Sequence, residues 1–418
     1  MSNFIFGGCD TVKLAKKYGT PLYVVNEDHI VDRINEIKKD FLGKYTNTRA
    51  VYASKAFLTK EMARIIKREG LGMDVVSGGE LYTAIKVQFP MEKIIFHGNN
   101  KTVDEIEMAV ENRVGRIVVD SLYELNLIEH VLSKYNKKIK ILFRVNPGVE
   151  VDTHKFIQTG QVDSKFGISL RDNIIKEAVR RAMDSKYVEP LGFHFHIGSQ
   201  IHKNEGYILA VKRIVNLIKE IKDELGFVTE ELNVGGGFGI TYSREKRPLS
   251  YFTDAIMQTL EFECKQNNLE RPLVTIEPGR WIVAEAGITL YTIGAIKEIP
   301  GIRTYVAIDG GMTDNPRPSL YGAKYEGLVA NKYGEKPVKE VTIAGKCCES
   351  GDILIWDLKV PEIEAGDILA VLSTGAYNYS MANNYNRIPK PAVVMVSGGR
   401  DRLIVKRETY EDIIRNDL

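Results

Sequence analysis

Between about residues 50 and 280 of this 418-residue chain, short β-branched runs alternate with longer amphipathic stretches. Such alternation is the pattern of βα units wrapped on a parallel sheet. Eight runs read as strands: AVYAS (50–54), GMDVV (72–76), KIIFHG (93–98), RIVVD (116–120), IKILFRV (139–145), LGFHFHI (191–197), ELNVGG (231–236) and PLVTIE (272–277). Between them, segments such as KEMARIIKRE and YILAVKRIVNLIKEIKDEL carry apolar residues at helical spacing. Eight strands are the number that closes a barrel, so an α/β fold with an eight-stranded (β/α) barrel is expected over residues 31–285. After about 285 the strands are closely spaced and separated by Gly, Pro and Asp turns, as in VKEVTIAG, DILIWD and AVVMVSGGRDRLIVKRE. This reads as an antiparallel β domain over 286–418, with SGGRD as a hairpin turn. Residues 1–30, with the lone strand TPLYVVN, are assigned to the same β domain.

Composition narrows the function classes. The net charge is +2 and the basic residues are scattered, so there is no electrostatic footprint for nucleic acid or a membrane surface. The chain lacks both an amino-terminal export signal and a run of about 18 apolar residues. A cytoplasmic protein is the expectation. Cys9, Cys264, Cys347 and Cys348 form neither a disulfide framework nor a CxxC metal pair, which suits a reducing compartment.

Active sites of barrels are built at the carboxyl ends of the strands. Those positions hold Lys55, Asp74, His97, Asp120, Arg144 with Asn146, His196, Gly235–Gly237 and Glu277. Each has a plain structural alternative. Lys55 could be a lysine snorkelling from a strand end, and Asp120, before Ser121, reads first as a helix N-cap. Glu277 could pair internally with Arg280 of the same EPGR turn, and GGGFG could be only a tight βα turn. His194 and His196 alternate along one strand, but no third ligand at a metal spacing follows, and no metal is expected. Taken together, the set favours chemistry. A lysine whose charge is disfavoured by burial attacks carbonyls, glycines let backbone N–H groups cradle a phosphate, and a carboxylate keeps a pyridine nitrogen protonated. An imidazole at His196 would stack on a flat ring, with Ser199 near the phosphate. The cofactor these residues suit is pyridoxal 5'-phosphate.

The ordered motifs YASKAF, MDVVSGGE, RVNPG, SKFGI, FHIGS, NVGGGFG, EPGR, RPSLYGA, CCESGD and GAYNYSMANNYN resemble those of the diaminopimelate decarboxylases, from about residue 20 to the C-terminus. The resemblance implies an alanine racemase-like architecture and decarboxylation of meso-2,6-diaminopimelate to L-lysine and carbon dioxide, the last step of lysine biosynthesis. It implies that Lys55 carries the cofactor, that His196 stacks on it, and that Ser199, Gly235, Gly236, Gly237 and Gly279 hold its phosphate. Glu277 would face the ring nitrogen, supported by Asp74. Arg280, Arg317 and Tyr321 would grip the distal carboxylate of the substrate, Glu349 its distal ammonium, and Tyr377 would touch cofactor and substrate. It further implies a homodimer with shared active sites, in which Cys348, rather than Cys347, and Glu349 come from the partner subunit. Family members often carry a histidine near Ala323–Tyr325 that this chain lacks. Alternatives are a decarboxylase for ornithine, arginine, carboxynorspermidine or a carrier-bound glutamyl group, and a non-catalytic homologue. Retention of Lys55, Cys348, Arg317, Tyr321 and Glu349 disfavours both.

Overall fold

The structure, a computed structural model, describes residues 2–149, 164–170, 173–240 and 247–418. His154, a histidine with an ordinary structural role as one expectation, lies outside them. The chain divides into two compact units, Ile34–Trp281 and Met1–Arg33 joined with Ile282–Leu418.

The first unit is a closed parallel barrel. Its strands are β1 (Thr48–Ala53), β2 (Gly72–Val75), β3 (Ile94–Phe96), β4 (Arg116–Val119), β5 (Ile139–Asn146), β6 (Val188–His194), β7 (Glu231–Asn233) and β8 (Leu273–Ile276). Each pairs in parallel with the next, and β8 pairs with β1 through Val274–Thr48, Thr275–Arg49 and Ile276–Ala50. The strand runs read from sequence all appear, with one shift that matters. β6 begins at Val188 and stops at His194, so His196 lies beyond the strand rather than on it.

Local chemistry sets the return helices. Those at Lys60–Glu69, Gly78–Lys86, Val103–Glu111 and Leu122–Tyr135 begin after Thr59, Ser77, Thr102 and Ser121, whose hydroxyls accept N–H groups of the first turn. Each such cap contributes about 1 kcal/mol. The first helix then turns Met62, Ala63, Ile65 and Ile66 inward and leaves its charged face to water.

Inside the barrel, Val51, Ile95, Val118, Leu142 and Leu191 form an apolar layer. Toward the amino ends of the strands the filling is ionic. Arg116 donates through Nε (2.5 Å) and Nη2 to the Glu231 carboxylate, and Arg49 Nη1 lies 3.2 Å from Glu231 Oε2. Burial alone would raise the Glu231 pKa, but the two guanidinium groups outweigh it and hold the carboxyl below its usual range.

The second unit is a mixed sheet, where the sequence suggested an antiparallel one. Leu22–Asn26 pairs antiparallel with Gly287–Ile299 and parallel with Ala392–Ser397. Arg303–Ile308 runs parallel to Lys339–Ala344. Strand texture does not encode direction: a parallel neighbour needs only a long crossover, and the segment carrying helix Arg317–Tyr321 supplies one. The SGGRD turn is a two-residue hairpin loop, with Gly398 and Gly399 at φ 54° and 76° between paired Ser397 and Arg400; positive φ at both central residues matches the twist of the flanking strands. Among the described residues no helix is long and apolar enough to cross a membrane.

Replacing Glu231 by Gln leaves the buried Arg116 and the half-buried Arg49 guanidinium groups without an anion and is expected to cost about 3–5 kcal/mol, read as a lowered thermal midpoint. Because the folded Glu231 pKa is depressed, its contribution is present above the unfolded carboxyl pKa and fades as pH falls through the folded value. The stability gap between wild type and Glu231→Gln should therefore narrow in acid.

Candidate active site

Four strands deliver one cluster at the carboxyl rim. Glu277, one residue past β8, is buried and accepts from His97 Nε2 (2.7 Å) and Asn233 Nδ2 (2.7 Å) at Oε1, and from His194 Nε2 (3.3 Å) at Oε2. His97 follows β3, His194 ends β6 and Asn233 ends β7. Burial works against the Glu277 charge, yet the two imidazoles hold its pKa well below the usual range. Burial also lowers both histidines, His194 to about 3, so they act as neutral N–H donors and not as cations. These three side chains offer ligand atoms within 4.8 Å of one another, but a 2.7 Å contact between His97 and Glu277 is a hydrogen bond. The sequence reading left His97 without a role and passed over Asn233. Both lie at strand ends, but only barrel closure brings β3 and β7 to one carboxylate.

Asp74 on β2 is the opposite case. Burial and the nearby Glu277 charge push its pKa well above normal, opposed by Lys55. Two neighbouring carboxyls with pKa values driven apart are a mark of a chemical site. Asp74 Oδ1 also accepts the Ser54 N–H (2.8 Å), and the Ser54 hydroxyl donates to Glu80 (3.0 Å). Both contacts fix the short turn Ser54–Ala56 that carries Lys55. The expected burial of Lys55 is not found. Its side chain is exposed, because the residue sits on this turn beyond the end of β1.

The glycine turn after β7 is shaped by close approach. A Cβ on Gly236 would stand 2.0 Å from the Glu277 carbonyl oxygen, and one on Gly279 would stand 2.8 Å from the Ala53 Cβ. The Gly235 N–H is already given to Asn233 Oδ1 (2.9 Å), and the Gly236 N–H points at His196 Nδ1 (3.4 Å). Both contacts hold the shape of the turn. Gly237 adopts φ 95°. Arg280 Nη2 donates to Ser199 Oγ (3.2 Å), which joins two residues expected at the phosphate and substrate ends.

Asp120 is not the helix cap, since Ser121 fills that role. Its Oδ2 accepts the Gly167 N–H (3.0 Å), and its Oδ1 stands 3.8 Å from Arg144 Nε. Arg144 lies over the Phe166 ring at 4.3 Å. Behind them a buried Lys101 donates to Glu124 (2.5 Å) and to the carbonyls of Gly98 and Val118 (2.8 Å each).

In the second unit Arg317 opens helix Arg317–Tyr321 and lies 5.2 Å from the Tyr321 ring and 5.5 Å from the Tyr377 ring. Tyr377 is held at φ 66°, a costly conformation for a residue with a Cβ. Cys347 is buried, and burial with Asp352 raises its thiol to about 11. Cys348 and Glu349 are exposed. The buried Asp352, the last residue of CCESGD and given no role from sequence, accepts N–H groups from Met312 (2.7 Å) and Cys347 (2.9 Å), tying the segment before Arg317 to that loop. Tyr325 is buried with its hydroxyl 3.2 Å from the Asn378 amide.

Comparison with known proteins gives this geometry a family. Residues 27–284 match the pyridoxal-binding domain of pyridoxal-dependent decarboxylases. The chain is 50% identical over 414 residues to diaminopimelate decarboxylase of Bacillus subtilis, covering 99% of this chain and 94% of that protein. It is 45% identical to the enzyme of Staphylococcus aureus, covering 98% and 96%. Among solved structures, diaminopimelate decarboxylase of M. jannaschii in complex with L-lysine superposes with a TM-score of 0.93 at 38% identity, over 100% of this chain and 96% of that one. The chain belongs to the diaminopimelate decarboxylase family of pyridoxal-dependent decarboxylases.

Proposed function

We propose that this chain decarboxylates meso-2,6-diaminopimelate to L-lysine and carbon dioxide with pyridoxal 5'-phosphate, the last step of lysine biosynthesis. The observation that carries the reading is the buried, ionised Glu277 at the rim of a barrel whose full-length relatives are diaminopimelate decarboxylases. The residues present suit the cofactor. A buried carboxylate satisfied only by neutral donors is the complement of a protonated pyridine nitrogen, and Lys55 offers an amine on a braced turn. When bound, pyridoxal phosphate supplies the electron sink that lets an amino acid lose its carboxylate.

Lys55 would hold the cofactor through its Nζ, at a position the substrate amine could take over. Glu277 keeps the ring nitrogen protonated; one preorganised electrostatic contact of this sort is worth about 2.7–4 kcal/mol of barrier. His196 lies against the ring. Arg280 and Ser199, with Gly235, Gly236, Gly237 and Gly279, would surround the phosphate. Arg317 with Tyr321 and Arg280 receives the distal carboxylate, bidentate pairing being what a guanidinium does best, and Glu349 receives the distal ammonium. Tyr377 borders both ligands. With the L end read this way, carbon dioxide leaves from the D centre. The working unit is a homodimer in which Cys348 of the partner subunit protonates the decarboxylated carbon, with Glu349 of the partner subunit beside it. The barrel is residues 31–285, and the β domain is residues 286–418 with the strand from 1–30.

Carbon dioxide release from meso-diaminopimelate, ornithine, arginine and lysine separates this reading from its neighbours: only the first should react well, and preference for another substrate overturns it. Lys55→Ala should abolish the visible absorption of bound cofactor, and a purified variant that keeps that band overturns the lysine assignment. Cys348→Ala should lower kcat by about 10²–10⁴-fold, the usual worth of a positioned proton donor. Cys347→Ala should lower it by less than about tenfold; equal effects would reverse the choice between the two thiols.

A further inference from the structure

We infer that His97 and His194 are neutral positioning residues that fasten Glu277 so that its Oε2, and not its Oε1, meets the ring nitrogen of the cofactor. The inference rests on the pyridoxal reading above and concerns how this chain prepares its own carboxylate.

The two oxygens of Glu277 are not equivalent. Oε1 already takes two short contacts, from His97 Nε2 and Asn233 Nδ2, both at 2.7 Å. Those fill the two lone-pair directions of a carboxylate oxygen. Among the described residues Oε2 has a single donor, His194 Nε2 at 3.3 Å, longer than the usual 2.9–3.0 Å of an N–H···O bond. Oε2 keeps the capacity for a further donor. Asn233 is locked in turn, because its Oδ1 accepts the Gly235 N–H (2.9 Å). That fixes which end of the amide faces Glu277 and joins the glycine turn to the carboxylate.

The histidines are also fixed in form. His194 Nδ1 is buried and has no hydrogen-bond partner among the described residues. A proton placed there would be a buried donor with nothing to meet, costing about 1–3 kcal/mol. The ring is therefore neutral, with its one proton on Nε2 toward Glu277. The His97 and His194 rings stand edge to face, 4.7 Å between centroids and 64° between planes, so each limits rotation of the other. Two imidazolium ions here would cancel the carboxylate charge and repel a protonated ring nitrogen. Neutral donors orient the carboxylate and leave its charge for the cofactor. The other charged or titratable groups that act on this cluster are Asp74, Lys55, Arg144 and His196. Of these, Asp74 is driven toward its neutral form, and Arg144 pairs first with Asp120.

The sign of the pH effect follows. Donors to a carboxylate lower its pKa, so removing one raises the pH at which Glu277 takes up a proton and abandons the ring nitrogen. In His97→Met and His194→Met, the acid limb of cofactor retention, followed by visible absorption of the holoenzyme, should move up by about one pH unit per lost donor. His97→Gln and His194→Gln retain an amide donor and should restore most of the shift, with kcat affected and KM for diaminopimelate nearly unchanged. Wild-type holoenzyme labelled with ¹⁵N-histidine gives a readout that needs no variant to fold. Three of its seven histidines, His97, His194 and the buried His196, should keep the neutral, Nε2-protonated pattern below about pH 5, where an ordinary histidine is charged. An acid limb unchanged in the methionine variants, glutamine and methionine variants that shift alike, or an imidazolium pattern at that pH for the signals assigned to His97 and His194 by their loss in the variants would each overturn the inference. A wild-type protein that never acquires the cofactor band would instead overturn the pyridoxal reading.

Discussion

Keeping one carboxylate charged at the rim of an apolar barrel is the constraint around which this chain is arranged. An isolated buried carboxylate would be driven to protonate. Glu277 escapes that by drawing donors from three other strand ends, and those strands are far apart in sequence. An open sheet would leave β3 distant from β8. Only closure of β8 onto β1 sets His97, His194, Asn233 and Glu277 around one point. The ionic plug of Arg49, Arg116 and Glu231 fills the opposite end. One barrel thus isolates two charge clusters of different kinds. At the base the anion is neutralised by cations; at the rim it is solvated by dipoles and keeps its charge.

The second unit uses buried carboxyls for mechanical ends. Asp352 takes N–H groups from two segments at once. A Cβ on Gly311 or Gly345 would come within 2.3 Å and 2.1 Å of its oxygen, so those two positions must be glycine for the carboxylate to reach both backbones. Asp314, raised to about 7 by burial, accepts the Tyr291 hydroxyl and the Gly311 N–H. Together they hold the backbone from which Arg317 and the CCESGD loop project, while Cys348 and Glu349 remain exposed.

Much of this was legible from residue order. Strand and helix alternation carries the barrel because period and length are local properties, and the Ser and Thr caps mark where helices start. Lys55, Asp74, His196 and Glu277 stood out as polar residues at strand ends. What escaped depends on distant partners. Lys55 reads as buried because VYAS before it is apolar, yet the turn that follows carries it to the surface. Asp120 looks like a cap because it precedes a helix, but Ser121 caps it and Asp120 turns to Gly167. Asn233 and Asp352 lie inside the NVGGGFG and CCESGD motifs, but their roles exist only once two segments remote in sequence meet. The mixed sheet was hidden for the same reason, since strand direction is a property of connections.

The strand Leu22–Asn26 sits hydrogen-bonded between residues from 287 onward and residues 392–396. On a ribosome it emerges first and finds its neighbours last. The barrel, whose strands span residues 48–276, can close while this segment waits with both edges unsatisfied, a state that invites pairing with other chains. The sheet of the second unit is thus completed only when nearly the whole polypeptide has been made. A chain terminated before Ala392 would leave Leu22–Asn26 with one bare edge, where Ala392–Val396 otherwise pairs.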